Sequence, residues 1–202
     1  NTLLQGVTIH LLGIPSLPVQ EELRFSPYVG IAESMAEILN DLNLTTIFYG
    51  TEGSEIKCSE FVNLISKDEF NVYARDKDPL LLSTQSFFHR EHPEVWLKYF
   101  ERLLDKLEDN LSDGDLILIP HSLYGSYLGE FRTKWDGRVA FIEYSAGYHG
   151  KWAKHSVFPS NYQQFAVNTV EEYKKNKNNG YFPIYNYDFV IPHTFDHTKY
   201  KV

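Results

Sequence analysis

Short apolar runs alternating with stretches of helical periodicity constrain this chain more than any other feature. Val7-Thr8-Ile9-His10-Leu11-Leu12 stops at Gly13, Thr45-Thr46-Ile47-Phe48-Tyr49 stops at Gly50, and Leu116-Ile117-Leu118-Ile119 stops at Pro120-His121. Runs this short and this continuously apolar suit strands buried on both faces, as in a parallel sheet covered by helices. The first two are separated by a loop holding Pro15 and Pro18, then by Ser26-Pro27, a capping residue ahead of a proline at the first helical position. Ile31, Met35, Ile38, Leu39 and Leu42 follow at helical spacing, and Asn43 closes the helix. A strand–helix–strand unit of this kind predicts parallel pairing.

The pattern continues. Residues 54–92 are less regular, with a strand expected near Phe70-Asn71-Val72-Tyr73. Pro93-Glu94 opens a long amphipathic helix whose stripe carries Trp96, Phe100, Leu103, Leu104, Leu107 and Leu111. Asp113-Gly114-Asp115 turns into the 116–119 strand, and further strands are expected over 138–142 and 189–192, with a helix over about 160–174. The predicted fold class is α/β: a Rossmann-like, doubly wound, mostly parallel sheet flanked by helices, with residues 1–202 forming a single domain.

Composition removes several function classes. The net charge of -8 supplies no basic field for nucleic acid. Lys174, Lys175 and Lys177 sit in a polar run that reads as a solvated helix end. Cys58 is the sole cysteine, which excludes an internal disulfide and a cysteine-based zinc site and agrees with a cytoplasmic protein. No apolar run approaches the ~20 residues that span a bilayer, so no transmembrane segment is expected. His89 and His92, and likewise His193 and His197 around Asp196, lack a third ligand at metal-binding spacing, so no metal is predicted.

Three strand ends carry groups suited to chemistry, since ligands of open α/β sheets gather at the carboxyl ends of the strands. At the first, Gly13-Ile14-Pro15 opens a loop without the G-x-G-x-x-G pattern of dinucleotide sites. At the second, His121 precedes Ser122, Tyr124 and Gly125; a histidine here either meets a ligand or pairs with nearby backbone. Ser122 has no G-x-S-x-G elbow, which argues against a hydrolase nucleophile. At the third, Val139-Ala140-Phe141-Ile142 empties into Glu143-Tyr144-Ser145-Ala146-Gly147-Tyr148-His149-Gly150. That segment offers a carboxylate, a phenol and an imidazole within one short span that holds two glycines; it is either a site or a tight turn with ordinary hydrogen bonds.

Taken in order, several segments resemble the N-terminal domain of GT-B glycosyltransferases of the retaining, family 4-like group. Ile9-His10-Leu11-Leu12-Gly13-Ile14-Pro15 is similar to the family's first strand and loop, and Tyr49-Gly50-Thr51-Glu52-Gly53 to its Tyr-Gly-x-Glu-Gly pattern. Glu143 to Gly150 resembles Glu-x-Gly-Ile-Gly-Tyr-x-Gly, and Val157-Phe158-Pro159-Ser160-Asn161-Tyr162 resembles Val-Phe-Glu-Ser-Tyr. Phe189-Val190-Ile191-Pro192-His193-Thr194-Phe195-Asp196 looks like the Val-Ile-Pro-Asn-x-Phe-Asp segment ahead of the second domain. The matches spread over nearly the whole chain. Ser145-Ala146 departs from Gly-Ile, and Pro159 from Glu.

The resemblance implies an enzyme that transfers a sugar from a nucleotide-sugar to a hydroxyl acceptor, with no cofactor beyond the donor substrate. Its acceptor side lies on this N-terminal half and its donor side on a C-terminal domain that the chain lacks, so the isolated half is expected to be inactive. By position, His121 would face the donor sugar and act as the catalytic residue. Gly13, Ile14 and Pro15 would approach the donor diphosphate and reacting centre. Tyr124, Gly147, Tyr148, His149 and Gly150 would line the substrate cleft, while Glu143 is either part of that lining or a buried structural carboxylate. Two other readings stay open: a module of the same ancestry that binds without transfer chemistry, and an unrelated α/β domain for nucleotides or sugar phosphates.

Overall fold

The computed structural model describes residues 6–24, 26–74, 93–120, 125–144, 155–158 and 189–190. Its strands are β1 (Ile9–Leu12), β2 (Thr46–Thr51), β3 (Glu60–Ile65), β4 (Leu116–Ile119), β5 (Ala140–Tyr144), β6 (His155–Phe158) and β7 (Phe189–Val190). The helices are α1 (Pro27–Asp41), α2 (Lys67–Ala74), α3 (Pro93–Asn110) and α4 (Gly125–Trp135). The strands form one sheet in the order β3-β2-β1-β4-β5-β6-β7, and every neighbouring pair is parallel. This is the Rossmann-like α/β arrangement, in which the chain runs outward from β1 to β3 and then returns to the other side of β1.

Alternating side chains divide the sheet into two cores. On one face Leu12, Ile47, Tyr49, Ile117, Ile119 and Phe141 meet Trp96, Tyr99, Phe100, Leu103 and Leu107 of α3 and Leu128, Phe131 and Trp135 of α4. On the other, Leu11 and Phe48 meet Val29, Ala32 and Ala36 of α1. The expected α3 stripe is thus the one that packs, with Leu104 partly buried at its margin.

Local chemistry accounts for the helix ends. Pro27 leads α1 behind Ser26, whose hydroxyl is buried without a hydrogen-bond partner and makes no cap bond, unlike the cap expected from sequence. Asn43 closes the helix at φ 54°, while Leu44 N–H donates to Leu39 O at 3.0 Å and Asn43 N–H to Asn40 O at 2.9 Å. That pair of bonds is a Schellman closure with asparagine in the left-handed position usually given to glycine.

One expected element is replaced. The strand expected near Phe70–Tyr73 is instead part of α2, and the strand of this region, β3, lies earlier at Glu60–Ile65. The reason is a capping box, Ser66-x-x-Glu69: Glu69 N–H donates to Ser66 Oγ at 3.2 Å, and Ser66 N–H donates back to Glu69 Oε2 at 3.0 Å. Arg102 of α3 then clamps Glu69 through two bonds of 2.8 Å and donates to Leu64 O at 2.6 Å. The helix expected over 160–174 lies outside the described residues.

Candidate functional site at the carboxyl edge of the sheet

The order β2-β1-β4 makes the carboxyl edge between β1 and β4 the point where consecutive connections leave the sheet in opposite directions. Crevices at such switch points are where open α/β sheets bind ligands. Gly13 is the first residue beyond β1 and Pro120 the first beyond β4. Glu143 lies in β5, in register with Ile119 at the end of β4. His121, Tyr124, Gly147, Tyr148, His149 and Gly150 lie outside the described residues, as do His89, His92, His193, His197 and the lysines at 174, 175 and 177.

The loop after β1 is held tightly. A Cβ on Gly13 would lie 2.7 Å from Phe48 Cζ and 2.8 Å from Tyr49 O, so the close approach of β1 and β2 at this point needs a glycine. Gly13 N–H donates to Tyr49 O at 2.7 Å. The Tyr99 hydroxyl, buried on α3, is shared between Gly13 O at 3.0 Å and Tyr49 O at 2.9 Å. Ile14 and Pro15 are buried, Ile14 to 2% exposure, so both contribute to the core beneath the loop.

The loop beyond Pro15 seats on the turn that follows β2. Thr51 Oγ1 donates to Pro15 O at 3.3 Å, and Val19 N–H donates to Ser54 Oγ at 3.0 Å. Glu55 N–H returns a bond to Val19 O at 2.7 Å, and Gln20 Nε2 reaches Gly53 O at 3.0 Å. Two segments far apart in the sequence, 13–20 and 49–55, therefore fold as one unit. Within it Glu52 has a structural duty, accepting from Lys67 N–H at the start of α2 at 2.8 Å.

Glu143 is fully buried on the face that also carries Ile119 and Phe141. Its register partner in β6 is Ser156, 1% exposed, whose Oγ has no hydrogen-bond partner. A carboxylate and a hydroxyl thus stand side by side on neighbouring strands. Adjacent Tyr144 is also buried, and burial raises its phenol pKa, so it stays protonated.

Sequence reasoning missed a second polar group, below the switch point. His10 in β1 is fully buried; its Nδ1 lies 2.8 Å from Tyr49 Oη and its Nε2 3.3 Å from Asp115 Oδ2. Asn110 Nδ2 also donates to Tyr49 Oη at 3.3 Å. Asp115 is further occupied by Thr8 N–H at 3.0 Å and Ser112 N–H at 2.8 Å. A carboxylate accepts only, so His10 donates from Nε2 and accepts from the Tyr49 hydroxyl at Nδ1. Burial lowers the His10 pKa more than Asp115 raises it, and burial pushes the Tyr49 phenol up to about 12. The signal was present in the sequence: a lone histidine inside an apolar strand needs buried partners, and a strand tyrosine and a pre-strand aspartate supply them.

A cleft of about 510 Å³ opens at the opposite, amino edge, lined by Gly114, Arg132, Asp136, Gly137, Arg138 and His155 among others. Arg138 there is tied to Asp113 at 2.7 Å and stacked 4.3 Å over Trp135, which makes it part of the scaffold. The strand order argues for the carboxyl edge as the ligand edge despite this concavity. Among the described residues no group of three or more His, Cys, Asp or Glu could hold a metal ion, and no helix is long and apolar enough to cross a membrane. Comparison of the chain with protein-family models, with curated proteins and with solved structures finds no match.

Proposed function

We propose that this chain is the acceptor-side domain of a glycosyltransferase, forming one wall of a cleft in which a sugar passes from a nucleotide-sugar to a hydroxyl. The observation that carries the reading is the strand order. It sets Gly13 after β1, Pro120 after β4 and Glu143-Tyr144 at the end of β5 on one edge of the sheet, the edge that holds the β1/β4 switch point. The resemblance to GT-B enzymes concerns the first and last of these, and its Ile9–Pro15 and Tyr49–Gly53 motifs meet within the 13–20 and 49–55 unit.

In this reading the chemistry needs no metal from the chain. Positive charge develops at the anomeric carbon and negative charge on the departing diphosphate, and amide dipoles and basic groups of a second domain stabilise the latter. By the resemblance, His121 is the residue assigned to the donor sugar. In the cell the domain works at a cytoplasmic nucleotide-sugar pool, together with that second domain.

The test uses the full-length protein with radiolabelled UDP-, GDP- and ADP-sugars, following sugar release or transfer, and then His121→Ala. Turnover that falls at least ~100-fold in the variant supports the assignment. Survival within a few-fold removes His121 from the chemistry, and no turnover of any donor by the wild type leaves a binding module instead.

A further inference from the structure

We infer that Tyr99 is the positioning residue of the switch-point loop, its hydroxyl setting where the Gly13 backbone stands relative to the reacting centre. The inference rests on the glycosyl-transfer reading for its chemical consequence, but its structural half stands alone. β1 pairs with β4 only as far as Leu11 and with β2 only as far as Leu12. Gly13 is the first residue beyond β1, and its N–H still bonds across to β2. Tyr99 adds a bond from a different element, α3, sharing one hydroxyl between Gly13 O at 3.0 Å and Tyr49 O at 2.9 Å. Gly13 N–H meets the same Tyr49 carbonyl at 2.7 Å, so three groups converge on one point.

The clamp is rigid for physical reasons. Tyr99 is fully buried, and its ring stands edge-on to Phe100 at a centroid distance of 5.4 Å. A Cβ at Gly13 would collide with Phe48, so the loop has no room to move toward β2. Hydrogen bonds in such a dry setting are electrostatically stronger than in water. A loop fixed this way presents the same backbone to every substrate, which is how orientation lowers a barrier without contact by the residue that enforces it.

Tyr99→Phe removes the hydroxyl and keeps the ring. Leu107→Ala, two turns farther along α3, serves as a control that loosens core packing away from the clamp. Amide hydrogen exchange at Gly13 and Leu17 and steady-state turnover of a radiolabelled nucleotide-sugar are measured on the full-length protein. The inference expects exchange at least ~10-fold faster in Tyr99→Phe. It also expects kcat lower by about 10- to 100-fold with KM within two-fold. Leu107→Ala should lower Tm without lowering kcat. Unchanged exchange in Tyr99→Phe overturns the clamp whatever the turnover, and faster exchange with unchanged kcat overturns its role in the chemistry. Faster exchange in a protein whose wild type turns over no donor upholds the clamp and sinks the glycosyl-transfer reading instead.

Discussion

Acid should weaken this fold through His10 before it touches any carboxylate. His10 is fully buried between Tyr49 and Asp115, and burial holds its pKa below the ordinary 6.5. The folded state therefore binds fewer protons at this site than the unfolded state, and stability falls as pH drops below about 6.5. If His10 stays neutral in the folded protein down to pH 5.5, the unfolded state gains RT ln 11, about 1.4 kcal/mol, from this one group. That is an appreciable part of the 5–15 kcal/mol typical of a domain. Protonation would also set an Nδ1–H against the Tyr49 hydroxyl, 2.8 Å away, which now donates to that nitrogen.

The assay is urea unfolding at pH 7.5 and pH 5.5 for the wild type and for His10→Gln, which keeps a polar side chain but cannot titrate. The remaining histidines contribute equally to both proteins and cancel in the comparison. The wild type should lose more stability than the variant between the two pH values, by up to about 1.4 kcal/mol, with the variant less stable at pH 7.5. Equal pH dependence in the two proteins would refute the reasoning, because it would mean that His10 carries the same charge folded and unfolded.

Two further perturbations probe the frame of the site. Gly13→Ala should cost about 1–3 kcal/mol in urea unfolding, since the new methyl meets buried Phe48 and the Tyr49 carbonyl rather than a yielding side chain; a loss under a few tenths of a kcal/mol would show that the β1–β2 approach is not fixed. The Glu69 carboxyl, held down to about 2 chiefly by Arg102, contributes stability that is present above its ordinary 4.5 and lost as pH falls from there toward 2. Because Arg102 is 44% exposed, Glu69→Gln should cost only about 1 kcal/mol at pH 7 and nothing near pH 2, measured by thermal unfolding across that range.

The parts of the fold legible in the sequence are those where local and tertiary preferences agree. Leu116–Ile119 is apolar throughout, is flanked by turn residues, and forms β4 over that span. The α3 stripe was visible because a whole helical face is buried. Over Phe70–Tyr73 aromatic and β-branched residues suggest a strand, while the capping box Ser66–Glu69 immediately before them dictates a helix. Helix α4 escaped notice because Gly125 and Gly129 dilute its pattern, leaving Leu128, Phe131 and Trp135 to anchor it. Of the site, the strand ends could be read from where apolar runs stop. The Tyr99 clamp could not, because it joins residues at least 50 positions apart, while His10 signals only that buried partners are needed and not which residues, 39 and 105 positions away, supply them.

In the proposed function, sugar ligands occupy the carboxyl edge of the sheet around the β1/β4 switch point. Photo-cross-linking of the full-length protein with a diazirine-bearing nucleotide-sugar, mapped by mass spectrometry, tests it most directly. Label is expected on segments 13–20, 120–125 or 143–150, suppressed by unmodified donor. Competable label at the amino edge, around Gly114, Arg132 and Arg138, would contradict it.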